Sequence, residues 1–148
     1  MKNLKYFTTP LKYYFADIGL RNVRLNFRQV EETHIMENII YNDLIRRGYN
    51  VDVGVVEYNQ TEDNKKKKIQ LEVDFVVNRG NIKYYIQSAL ALESNEKREQ
   101  ELNSLKRIND SFKKIVIIKD DIIPRYDEQG IYYIGIKDFL LTDNIFEN

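Results

Sequence analysis

The stretch from Ile69 to Leu90, IQLEVDFVVNRGNIKYYIQSAL, constrains this chain more than any other. Two runs rich in β-branched and aromatic residues flank the turn tetrapeptide NRGN, a pattern that predicts antiparallel strands over 69–77 and 82–90. The alternating run VDVGVVEY, Val51 to Tyr58, precedes them across a solvated connection, NQTEDNKKKK, so the three form a meander. Helical spacing brackets it. EETHIMENIIYNDLIRRGY places apolar residues at 35, 36, 39, 40, 44 and 45, with Arg46 and Arg47 in the last turn and Gly48 as the stop over a helix from Glu31 to Arg47. SNEKREQELNSLKRIND offers Ser94 as an N-cap and a narrow stripe of Leu102, Leu105 and Ile108. KKIVIIKD then reads as a strand buried on both faces, GIYYIGI as another strand, and KDFLLTD as a short final helix.

The expected fold class is therefore α/β, a mixed central sheet of an antiparallel meander plus added strands, flanked by helices. With 148 residues, the chain supports one core, so residues 1–148 form a single domain. Residues 1–30, with KYYFADIGLRNVRLN, form an aromatic packing segment that turns at DIGLRN.

Composition narrows the chemistry. Twenty-three basic side chains balance twenty-three acidic ones, so no global field draws the domain to nucleic acid or an anionic membrane. The absence of cysteine excludes thiolate catalysis and cysteine-bound zinc, and a single histidine, His34, excludes an imidazole-rich metal site. A metal here needs oxygen ligands, which favours Mg²⁺, Mn²⁺ or Ca²⁺. No apolar run has the length of a membrane span and no signal peptide is recognisable, so the expected compartment is the cytoplasm. The lysine run Lys65 to Lys68 reads as solvation of a hairpin tip, with phosphate binding as the alternative.

The polar residues within the strands stand out. Alternation sends Glu72, Asp74 and Val76 to one face and Val73, Phe75 and Val77 to the core. In the next strand Tyr85, Gln87 and Ala89 share a face opposite Tyr84, Ile86 and Ser88, and pairing brings Asp74 and Gln87 close. Glu37 lies on the edge of the apolar stripe of its helix, about 20° from Leu44 at about 100° per residue. Buried acids this close need a cation, an arginine or a proton, and a divalent ion held by Glu37, Asp74 and Gln87 would supply it. Each residue has a plainer reading: a solvated helix position for Glu37, a pair with Arg79 or a lysine for Asp74, backbone satisfaction for Gln87.

The order of these elements, with an acid on the first helix and another on the second strand, resembles the restriction-endonuclease-like fold of PD-(D/E)xK nucleases. The segments YYFADIGLRN, HIMENIIYNDLIRRGYNVDVG, LEVDFVV, YYIQSAL, KREQELNSLKRINDSFKKIVI and GIYYIGIKDFLL are similar to the C-terminal domain of unknown function in bacterial and archaeal AAA-type ATPases. The resemblance implies Asp74 as the strand acid, Gln87 as the second ligand and Glu37 as the helix acid around Mg²⁺, with a lysine two positions after the second ligand. That position is Ala89, so the expectation is an accessory module that binds nucleic acid or a protein partner, with cleavage impaired or lost. An active endonuclease with a displaced lysine, for which Lys97 is the candidate, and a structural docking or dimerisation domain are the alternatives. The resemblance also implies an N-terminal ATPase core as partner. No GxxxxGK[ST] phosphate loop occurs here, so the chain is expected to be the C-terminal fragment of a longer ATPase. DNA binding and homo-oligomerisation stay open.

Overall fold

The computed structural model describes residues 11–28, 31–62, 65–91, 102–143 and 145–146. Its elements are α1 (Ile18–Arg24), α2 (Glu32–Arg46), β1 (Asn50–Glu62), β2 (Lys65–Arg79), β3 (Ile82–Ala89), α3 (described over 102–106), β4 (Lys113–Ile118), β5 (Arg125–Tyr126), β6 (Ile131–Gly135) and α4 (Ile136–Leu141). The fold class is α/β with a mixed sheet, as the residue pattern predicts. Six strands lie in the order β1-β2-β3-β4-β6-β5, antiparallel from β1 to β3, parallel from β3 through β4 to β6, and antiparallel again at β5. Among the described residues no helix is long and apolar enough to cross a membrane.

Two cores, one on each face of the sheet, hold these layers together. On one face Met36, Ile40 and Leu44 of α2 and Phe139 of α4 pack on Phe75, Val77, Ile86, Ile115 and Ile117. On the other, Leu102 and Leu105 of α3 cover Val73, Ala89, Val116, Ile118 and Tyr133. β4 contributes to both cores by alternation, which explains its uninterrupted apolar run. α2 ends where Gly48 takes φ +81°, and its closing bonds, Gly48 N to Ile45 O and Tyr49 N to Leu44 O, are those of a Schellman turn.

Four expectations require correction. The turn expected at DIGLRN is the start of α1, with Asp17 as its N-cap accepting from Leu20 N at 2.8 Å. The NQTEDNKKKK connection is mostly paired strand: Asn59 opposes Lys68, Gln60 opposes Lys67 and Thr61 opposes Lys66. A two-stranded ribbon wet on both faces needs only its ladder and cross-strand pairs such as Lys68 with Glu57, so polarity does not mark its end. The short strand β5 was not foreseen. The strict alternation of β2 also fails, because the register between β1 and β2 shifts between Asp52 and Gly54. Asp52 opposes Val76 and Gly54 opposes Val73, so β2 carries an extra residue at Asp74 and Phe75. Val73 therefore joins the α3 core while Phe75 and Val77 join the α2 core. Gly54 permits this bulge: a Cβ there would lie 2.7 Å from Val76 Cγ2 and 3.0 Å from Val73 Cβ. Ser94 and Lys97 lie outside the described residues.

Candidate functional site

The segment 11–17 crosses α2 as a strap, and the helix presents hydrogen-bonding side chains to receive it. Asn38, only 5% exposed, acts as a surrogate backbone: Phe15 N donates to its Oδ1 at 2.7 Å and its Nδ2 donates to Phe15 O at 2.7 Å. Asn42, one helical turn on, donates to the same carbonyl at 2.9 Å. Between them in sequence, Tyr41 stacks on Tyr14 with centroids 4.1 Å apart and planes 11° from parallel. Positions 38, 41 and 42 share a helix face at the i, i+3, i+4 spacing, which is why one face can grip one strap.

Docked this way, the strap delivers Lys12 into a ring of acids. Its ammonium lies 3.0 Å from Glu37 Oε2 of α2, 3.2 Å from Asp74 Oδ1 of β2, and in contact with Glu72 Oε1 two residues earlier on β2. Asp74 is held from its other side: Oδ2 accepts from Ser88 N at 2.9 Å and Ser88 Oγ at 2.8 Å on β3. The bulge allows Asp74 and Phe75 to face α2 together, so that an acid stands next to the core without breaking it. The ring opens on a cavity of about 520 Å³ that Tyr14, His34 and Arg21 also line. The Tyr14 hydroxyl is buried and has no hydrogen-bond partner among the described residues.

Burial and charge set the protonation states. Burial alone would lower the Lys12 pKa, but the bond to Glu72, the charge of Asp74 and the bond to Glu37 outweigh it, so the amine titrates well above the ordinary lysine value. It is an ammonium throughout the physiological range. Glu37 is pushed up, first by burial and then by the negative charge of Asp74, with Lys12 opposing both. Tyr14 is raised by burial, against the pull of Lys12, and stays a neutral phenol.

The sequence-derived trio is split by the sheet. Glu37 and Asp74 meet around one cation, as anticipated. Gln87 extends from the opposite face, toward α3: its Oε1 lies 3.4 Å from Asp74 N and 3.5 Å from Ser104 Oγ, and it does not line the cavity. Tyr85 and Ala89 share that face, with Ala89 buried in the α3 core, so a lysine there would enter packed apolar surroundings. Among the described residues no group of three or more histidine, cysteine, aspartate or glutamate side chains is arranged to hold a metal ion. The acids are drawn onto Lys12, and the neutral oxygen expected as a ligand is turned away, so as arranged these donors do not fit a resident Mg²⁺ or Mn²⁺.

Lys12 and Ser88 were not singled out from the sequence, and Glu72 was noted beside Asp74 without being placed at the site. The signal for Lys12 was its setting: a lone cation in LKYYF, among aromatics that pack, has to bring its charge to an acid.

A mixed-sheet α/β domain with a lysine-filled acidic pocket is the class that fold and site define. The chain belongs to the DUF4143 family, a domain of unknown function whose pattern matches residues 32–139. That range includes Glu37, Glu72 and Asp74 but not Lys12. A Haemophilus influenzae protein described as uncharacterized is 33% identical over 140 residues, covering 92% of this chain and 30% of that protein's length. The chain thus spans less than a third of this curated relative. No solved structure matches it.

Proposed function

We propose that this is a restriction-endonuclease-like accessory module of a longer, AAA-type ATPase, acting by docking to a protein partner, with phosphodiester cleavage impaired or lost. The observation that carries the reading is the ammonium of Lys12 among Glu37, Glu72 and Asp74, where a divalent ion would have to sit. The position of Gln87 on the other face and of Ala89 in the core supports it. Docking is favoured by the outer surface of the strap and α1. α1 buries none of its residues, and Tyr13, Leu20, Val23 and Phe27 are 78%, 65%, 57% and 68% exposed. Large exposed apolar side chains concentrated in one short segment are what an interaction site would present. The greater length of the Haemophilus relative is consistent with a neighbouring module.

One observation favours a second reading, an active nuclease: Lys12, 3.2 Å from Asp74, supplies the amine that Ala89 lacks. Incubation of the protein with supercoiled plasmid and with single-stranded DNA in Mg²⁺ or Mn²⁺ separates the two. The expected result is no nicking above that of Asp74→Asn. Nicking by the wild type that Asp74→Asn abolishes overturns the proposal in favour of catalysis.

A further inference from the structure

We propose that the exposed face of α1 is the contact between two copies of this chain, the helices lying antiparallel across a two-fold axis. The proposal deepens the docking reading, on which it rests, by naming the partner. Ile18, Arg21 and Asn22 are half-buried, with the Arg21 guanidinium 5.6 Å over the Phe15 ring, so this side of α1 faces the strap. Leu20, Val23 and Arg24 are exposed on the other. A helix of seven residues gains little from its own hydrogen bonds and depends on what its apolar side packs against. Beyond it Asn26 and Phe27 take φ 49° and 54°, left-handed values that a bulky residue rarely adopts, and the Phe27 ring is left exposed. Strain of this kind gathers at functional sites.

The charges choose the occupant. Asp17 caps the helix through Oδ1, which accepts from Leu20 N at 2.8 Å, and its Oδ2 takes no part in the cap. Among the described residues no acid pairs with Arg24. At about 100° per residue Asp17 and Arg24 lie about 20° apart, on one flank of the stripe formed by Leu20 and Val23. Antiparallel pairing brings equal flanks together, so Asp17 of each copy meets Arg24 of the other, while Leu20 and Val23 meet their counterparts between the two ion pairs. Parallel pairing places those flanks on opposite sides and leaves all four charges unmatched. An acid and a base seven positions apart, with apolar residues between them, are therefore self-complementary, as a two-fold contact between identical surfaces requires.

Sedimentation velocity on the full chain tests the pairing. The mass of the wild type is expected to climb from monomer toward dimer as concentration rises. Leu20→Glu and Arg24→Glu are each expected to abolish that climb, with the melting temperature of the monomer unchanged because α1 buries none of its residues. Asp17→Lys alone is likewise expected to be monomeric. Mixing it with Arg24→Glu is expected to restore the dimer, since lysine then meets glutamate and Asp17 meets Arg24. If Asp17→Lys loses α1 along with its cap, Leu20→Glu carries the test. A wild type still monomeric at about 1 mM, which puts any association beyond the millimolar range, overturns the inference. So does a dimer that Leu20→Glu leaves intact, or a folded pair of charge variants that stays monomeric when mixed. The two claims fail separately: a monomeric wild type hands the α1 face to another protein and leaves the docking reading standing, whereas nicking that Asp74→Asn abolishes removes that reading without changing the sedimenting mass.

Discussion

Helix α2 carries two acids that are held in opposite ways, Asp43 near its C-terminal end and Glu37 nearer its start. Asp43 receives Arg46 Nη2 at 2.7 Å and Arg47 Nε at 2.5 Å. Arg47, its side chain 8% exposed, passes its remaining donors to Thr142 O at 2.6 Å and Phe139 O at 2.9 Å, where α4 ends, and lies 5.4 Å over the Phe139 ring. One acid there has two guanidiniums, and the guanidinium that is buried satisfies carbonyls that the end of a helix leaves open. Glu37 instead shares one ammonium with two further acids, beside an unpartnered phenol and open space. The first arrangement has nothing left to bind and acts as a clasp between α2 and α4. The second has surplus negative charge, room, and a cation delivered by a separate segment, the strap.

The sharpest way to break this contrast is Arg47→Ala. Removing the buried partner leaves Asp43 only the exposed Arg46, and the carbonyls at the end of α4 lose their donor, so the expected loss is about 3 kcal/mol, the low end for a broken buried pair, read by urea denaturation. A loss below about 1 kcal/mol, the range of surface pairs, would show that the clasp does not hold α4. The strap should be cheaper to release. Asn38→Ala deletes both bonds to Phe15 and leaves that amide without its acceptor, for which about 1–3 kcal/mol is expected. Trypsin should cut after Lys12 faster in this variant than in the wild type, with the α2–β sheet core unchanged. Equal cleavage rates would mean that Tyr14 on Tyr41 and the ion pairs hold the strap without Asn38.

How much of this was legible in the sequence follows from what sets each feature. The meander, α2 with its Gly48 stop, and doubly buried β4 are local patterns of burial and turn chemistry, and periodicity reports them directly. The bulge at Asp74 and Phe75 is not local: it depends on Gly54 in the neighbouring strand leaving space for Val73 and Val76. Without it, alternation assigns Val73 to the wrong core and hides the fact that Asp74 and Phe75 face α2 together. Glu37 and Asp74 were found because polar residues inside apolar stripes require a partner. Gln87 was grouped with them on adjacency and on the resemblance, and neither fixes which face of the sheet a side chain takes. Lys12 lies 25 and 62 residues from its partners Glu37 and Asp74, beyond the reach of any periodicity.

The smallest expected effect probes the charge balance itself. The folded protein raises the pKa of Glu37 above its ordinary value of 4.5, chiefly by burial and then through Asp74. Folding therefore favours the protonated acid. Its stabilising contribution is fully present below the ordinary value and is lost as pH rises through the raised one. Glutamine cannot ionise, so the melting temperature of Glu37→Gln relative to the wild type should climb as pH rises from about 4.5 and then level off. The pair with Lys12 forms only as Glu37 ionises and already counts in the net direction of the shift, in which Lys12 opposes burial and Asp74 without outweighing them. A difference that falls with pH would mean that Lys12 stabilises the Glu37 carboxylate more than burial and Asp74 oppose it. Glu37 would then be as well satisfied as Asp43, and the contrast between the two ends of α2 would collapse.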